Sequence, residues 1–291
     1  MPSPSLIFTF LRELAVSRSF PREPEPDLVM DDPKQVEAYA EAGRADGVMA
    51  ASYLFQSARV SQVIRGCRSV IDLGCGPGTQ LAQIAQLNSD IEFTGIDLSA
   101  AMLSDAERHV RDLHLRNVRF RHDDITRLES IDDQSTDAVI STLTLHHLPT
   151  PQLLGTCFAQ IRRVLKPGGA LYLTDFCRLK SLKSVLYVAY MNARHQPHIF
   201  SLDFERSLRA AFLKEDFAAM AAQYLPTDVA VVSTFKVPLL VIIKTADNPL
   251  PDSLKQRLAT MRGALLPRYR RDLNDMRMFF AFGGLKNDPF R

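Results

Sequence analysis

The chain has 291 residues, 46% of them hydrophobic, and its 35 basic and 33 acidic side chains leave a net charge of only +2. That is enough chain for one large core with an appended lid, and too little positive charge for a general nucleic-acid binder. The longest apolar run, Val237 to Ile243, falls well short of the roughly 18 residues that cross a bilayer, so the expected partner is a small molecule or peptide, with no membrane span.

The N-terminal apolar segment Leu6 to Leu11 has no basic residue before it, which argues against a signal peptide and for a cytoplasmic protein. The four cysteines, at 67, 75, 157 and 177, form no Cys-x-x-Cys pair; they read as reduced thiols in packing roles, and no metal site is expected. Pro21 to Pro33 reads as a linker or ordered extended arm. Val36 to Ile64 follows with a helical pattern, so residues 1–66 are expected to form an N-terminal arm and helical lid.

From residue 67 to 176 strand and helix signals alternate. Short apolar strands are expected at Val70–Leu73, Ile91–Ile96, Val118–Arg121, Ala138–Thr142 and Ala170–Thr174, as in a parallel sheet buried on both faces. Helical spacing joins Leu81, Ile84 and Ala85 after the first strand and Phe158, Ile161 and Leu165 before the last, and Ser99 sits where an N-cap belongs. The pattern predicts a doubly wound α/β core with its ligand at the carboxyl ends of the strands. Residues 177–225 read as a helical substrate lid, residues 226–246 as the last two strands, and residues 247–291 as a basic C-terminal tail.

The first strand runs into Asp72-Leu73-Gly74-Cys75-Gly76-Pro77-Gly78-Thr79. Glycines at that spacing allow unusual dihedrals and a close approach to the backbone. A dinucleotide fingerprint requires its third glycine at position 79, which is Thr, and Asp72 repels a pyrophosphate. Asp97, after the second strand, is placed to accept both hydroxyls of a ribose. Asp124, after the third, can accept from an adenine amino group while the Ile125 N–H donates to the ring. Three acids and no phosphate-binding lysine fit a nucleoside that carries a positive centre.

These motifs, with Gly95-Ile96-Asp97-Leu98-Ser99, His122-Asp123-Asp124-Ile125, Leu145-His146-His147-Leu148 and Leu165-Lys166-Pro167-Gly168-Gly169, resemble class I S-adenosylmethionine-dependent methyltransferases, in particular the ubiquinone and menaquinone biosynthesis group. The resemblance covers residues 69 to 176. It implies a mostly parallel seven-stranded sheet of order 3-2-1-4-5-7-6 with helical lid elements, and S-adenosylmethionine as cofactor. It further implies that Leu98 packs on adenine, that Gly74, Cys75 and Gly76 pass under the methionine portion, that Asp72 meets the methionine end and that Ser141 lies beside it. Asp123-Asp124-Ile125 replaces the commoner Gly-Asp-Ala, so two aspartates compete for the adenine; Asp124 is preferred for its place before the apolar residue.

The implied reaction is methyl transfer to oxygen, nitrogen or carbon of a small-molecule or peptide acceptor; the alternative is a non-catalytic S-adenosylmethionine-binding partner protein. Catalytic candidates are His146 and His147, either of which can take a proton near neutrality, and Asp175 after the fifth strand, which can orient an acceptor. Substrate candidates are Tyr39 and Tyr53 in the N-terminal helical region, and Arg178, Arg194 and His195 on the basic face of the lid.

Overall fold

The structure, a computed structural model, describes residues 4–26, 31–43, 46–226 and 228–291. In chain order it contains α1 (Pro4–Ala15), an arm without regular structure over residues 16–26, α2 (Pro33–Ala42), α3 (Ala50–Val63), β1 (Ser69–Leu73), α4 (Thr79–Leu87), β2 (Glu92–Asp97), α5 (Ala100–Asp112), β3 (Val118–His122) and β4 (Thr136–Thr142); residues 27–30 of the expected Pro21–Pro33 linker lie outside the described residues. A single 3-10 turn, Leu145–His147, leads to α6 (Pro151–Val164) and β5 (Leu165–Phe176). Then come α7 (Leu182–Tyr190), a 3-10 turn at Ala193–His195, α8 (His198–Ala210), α9 (Lys214–Tyr224), β6 (Ala230–Ser233), β7 (Leu240–Lys244), α10 (Asp252–Ala264) and α11 (Pro267–Phe282).

The seven strands form one sheet in the order β3-β2-β1-β4-β5-β7-β6, parallel throughout except for β7, which runs antiparallel to both of its neighbours. Successive apolar residues along a strand feed opposite faces. Val70, Ile140, Tyr172 and Ile242 point into a core shared with α3, α4, α10 and α11, while Ile71, Val139, Leu171 and Ile243 point into a second core against α6 and α9. Burial on both faces explains why these strands read as continuous apolar runs. Among the described residues no helix is long and apolar enough to cross a membrane.

Local signals set the helix starts. Ser99 Oγ accepts from Met102 N at 3.0 Å to cap α5, and Thr150 caps α6 with Pro151 in its first turn. The region expected to be helical over Val36 to Ile64 is two helices. Gly43 ends the first by donating its N–H to Tyr39 O, and an added Cβ there would lie 2.8 Å from the Tyr53 ring. The stretch expected as a basic tail is instead packed: Leu258, Tyr269, Leu273 and Phe280 are buried along α3, with Phe280 stacked on Phe55 at 5.3 Å between centroids.

Candidate functional site

A cleft opens where β1, β2, β3 and β4 end, beside the switch in strand order between β1 and β4. The turn after β1 forms its floor. Gly74 has φ +70°, and an added Cβ would lie 2.0 Å from Thr144 Cγ2; Gly74 N and Cys75 N donate to Ile96 O at 2.7 and 3.0 Å, binding the turn to β2. Gly76, at φ +53°, has no protein atom within 4 Å of an added Cβ, so its bare backbone faces open space in the cleft.

Asp97, at the end of β2, is tied to this turn. Its Oδ2 accepts from Gly76 N at 2.8 Å and its Oδ1 from Ser99 N at 2.9 Å. Burial raises its pKa, and those backbone donors work in the opposite direction. Asp72 is buried and its Oδ1 has no hydrogen-bond partner; burial, and then the neighbouring Asp97 charge, hold its pKa well above the ordinary value. Gln80, on the first turn of α4, also lines the cleft, and its buried Nε2 has no partner. The sequence reading missed Gln80 because nothing in its local pattern distinguishes it from a polar helix residue.

Of the two aspartates at the β3 end, one lines the cleft. Asp123 spends its oxygens on Asp124 N and Ser130 N, at 2.7 and 2.8 Å, and does not line the cleft. Asp124 does, with one oxygen engaged by the Thr126 amide and hydroxyl, as do Leu98 and Ile125. Met102, from α5, joins them on the wall.

Ser141 is not in the cleft. It is fully buried and donates its Oγ to Leu73 O at 2.8 Å, joining β4 to β1, while Thr142, Leu143 and Thr144 form the wall expected of it. Ser141→Ala should therefore lower stability by about 1 kcal/mol, read as a shift in the urea midpoint, and leave ligand affinity in the cleft within twofold of wild type.

Tyr39 of α2 and Tyr53 of α3 close the cleft from the N-terminal side and are hydrogen-bonded to each other. Burial pushes both phenols up, Tyr39 to about 12, so both remain protonated donors at neutral pH.

The two histidines have different nearest carboxylates, and Glu25 also comes within 3.8 Å of His146 Nε2. His146, 2% exposed, lies behind the wall, its Nδ1 2.7 Å from Asp175 Oδ1 and its backbone N donating to Asp175 Oδ2. Asp175, fully buried, is thus occupied by His146 and does not line the cleft. His147 does, and its Nδ1 lies 3.2 Å from Glu25 Oε2 on the N-terminal arm. Burial works to raise the Glu25 pKa, but the hydrogen bond and the charges of the two histidines outweigh it, so Glu25 falls to about 2. For His147, burial works downward and is overcome by Glu25, Asp175 and Asp97, leaving its pKa raised.

The three basic substrate candidates lie outside the cleft. Arg178, just after β5, bonds through its backbone N to Phe212 O, whereas Arg194 and His195 are exposed on the 3-10 turn between α7 and α8.

A seven-stranded sheet of this order, with carboxylates at the ends of β1, β2 and β3 facing a glycine turn, defines a Rossmann-like nucleoside-binding protein of the methyltransferase type. The chain belongs to the methyltransferase-domain family, whose model matches residues 66–232. It is 34% identical over 127 residues to phosphoethanolamine N-methyltransferase 3 of Arabidopsis thaliana, covering 44% of this chain and 25% of the relative. It is 41% identical over 103 residues to trans-aconitate 2-methyltransferase of Deinococcus radiodurans, covering 35% of each. The match thus spans about a quarter to a third of the length of these curated relatives. Among solved structures, a plantazolicin methyltransferase in complex with a triazolic desmethylPZN analog and SAH shares the fold at a TM-score of 0.53 and 18% identity, over 88% of this chain and 86% of that one. A SAM-dependent methyltransferase from Aquifex aeolicus does so at 0.52 and 16%, over 74% and 98%.

Proposed function

We propose that the protein is an S-adenosylmethionine-dependent methyltransferase acting on oxygen, nitrogen or carbon of a small-molecule or peptide acceptor in the cytoplasm. One observation carries this reading. The cleft holds a buried acceptor without a partner, Asp72 Oδ1, and a buried donor without one, Gln80 Nε2, and among its described lining residues there is no lysine or arginine. Buried polar groups require partners. An α-amino acid end, ammonium toward Asp72 and carboxylate toward Gln80, satisfies both, whereas an ionised phosphate accepts from Gln80 but offers Asp72 no donor.

Asp97 would hold the ribose, Asp124 and the Ile125 N–H the adenine edge, with Leu98 and Met102 against the ring. The bound donor supplies a methyl group on a sulfonium, transferred in line to the acceptor with loss of the positive charge. The chain's part is to align the reactants and exclude water, since well-oriented reactants gain roughly 7 to 11 kcal/mol. His147 is the histidine presented to the acceptor; Asp175 acts through His146, which backs it at 4.3 Å between ring centroids. The N-terminal helical region, which brings Tyr39 and Tyr53 to the cleft, and the helices of residues 177–225 would serve as the lid. The Leu145–Leu148 and Leu165–Gly169 motifs support kinship with the ubiquinone and menaquinone biosynthesis methyltransferases.

Titration calorimetry tests the donor site directly: S-adenosylmethionine and S-adenosylhomocysteine should bind one per chain, and NAD should not. Binding of NAD in preference to either would overturn the reading. Donor binding without S-adenosylhomocysteine formation across hydroxyl, amine and carboxylate acceptors would favour the non-catalytic partner protein.

A further inference from the structure

The strand-end carboxylate bonded to the histidine pair is already committed: Asp175 gives one oxygen to the His146 ring, and its two oxygens also accept from the backbone N–H groups of His146 and Phe176. The carboxylate that reaches His147 comes from far away in the chain. We propose that Glu25, carried by the N-terminal arm, is a positioning residue of the active site that holds His147 by Nδ1 and so reserves Nε2 for the acceptor. This rests on the methyltransferase reading of the cleft.

The arm is built to deliver it. Arg22 donates Nε to Ala210 O at 2.6 Å, Nη1 to Pro149 O at 2.5 Å, and Nη2 to His146 O and Leu148 O at 3.0 and 2.6 Å, with its guanidinium 3.9 Å from the Phe212 ring centroid. One side chain thus fastens the arm to the carbonyls of the turn that bears both histidines. Glu23 N donates to Arg209 O, and its carboxylate pairs with the Arg209 side chain at 2.9 Å, fixing the arm to α8. Between these anchors Glu25 is 10% exposed, with Oε1 accepting from Ser207 Oγ at 2.9 Å and Oε2 facing His147 Nδ1.

A carboxylate on one imidazole nitrogen selects the tautomer and orients the ring. Nδ1–H is committed to Glu25, so a neutral His147 presents the Nε2 lone pair to the cleft and a protonated one presents Nε2–H. The charged and titratable groups around it are Glu25 on the arm, Asp175 on β5, Asp97 at the end of β2 and the adjacent His146. Of these only Glu25 contacts the His147 ring through a carboxylate.

Imidazole nitrogen NMR on the full chain, with S-adenosylhomocysteine added, reads this without knowledge of the acceptor; His147→Gln assigns the resonances. Neutral His147 in wild type should be the Nδ1–H tautomer. In Glu25→Gln its titration midpoint should fall and the tautomers should mix; His146, whose Nε2 lies 3.8 Å from Glu25 Oε1 but whose Nδ1 stays on Asp175, should keep its tautomer, and S-adenosylhomocysteine affinity should stay within twofold of wild type. Glu25→Asp, which keeps the charge but withdraws it by one methylene, should be intermediate. An unchanged His147 tautomer and midpoint in Glu25→Gln would overturn the proposal. So would stoichiometric Zn²⁺ binding that shifts both histidines and is lost in that variant, because Glu25, His146 and His147 offer donor atoms within 4.8 Å of one another and would then be metal ligands. Failure of wild type to bind S-adenosylhomocysteine would count against the methyltransferase reading alone.

Discussion

Gly74→Ala should unfold the cleft floor and lower stability by about 2 to 5 kcal/mol. Two effects add. The residue sits at φ +70°, where a Cβ costs about 1 to 2 kcal/mol, and that Cβ would lie 2.0 Å from Thr144 Cγ2 and 2.5 Å from its Oγ1. Thr144 cannot simply turn aside, because its Oγ1 donates to Gly74 O at 3.0 Å and closes the seam between β1 and β4. Urea unfolding measures the loss. Gly76→Ala is the informative comparison: at φ +53° it bears the same left-handed cost of about 1 to 2 kcal/mol, but its Cβ meets no protein atom, so the variant should lose only that much stability while still losing affinity for S-adenosylhomocysteine. Wild-type stability in Gly74→Ala would mean that β1 and β4 do not meet as described.

Asp97→Ala should weaken S-adenosylhomocysteine binding by about 1.5 to 3 kcal/mol, roughly ten- to a hundredfold. Both carboxylate oxygens already accept from the backbone, at Gly76 N and Ser99 N, and each retains a lone pair for a ribose hydroxyl. The substitution removes the sugar contact and at the same time frees the glycine turn that faces the ligand. Asp97→Asn keeps one acceptor oxygen and should fall between. Calorimetry on both variants reads the effect, and unchanged affinity in Asp97→Ala would remove Asp97 from the site.

The sequence by itself determined the sheet's parallel core, the glycine turn, and the acids Asp72, Asp97 and Asp124, because each is a local matter. Strand and helix periods, a left-handed turn and a carboxylate just past a strand all depend on residues a few positions apart. That Asp124 rather than Asp123 reaches the cleft was also legible, since only Asp124 directly precedes Ile125, which lines it.

The tertiary structure decided what depends on phase and distance. Near the end of β4, side chains alternate, so whether Ser141 or Thr142 faces the ligand depends on register against β5, where Ser141 pairs with Leu173 and Thr142 with Thr174. Asp175 has the address of a cleft residue, yet the fold spends it on His146. The C-terminal segment looked like a basic tail because its charges outnumber the few apolar residues that insert beside α3. Glu25 left no sign at all: it meets His147 across more than a hundred residues of chain, and such a contact is specified by the packing of the arm between the β4 turn and α8, which no short window of sequence contains.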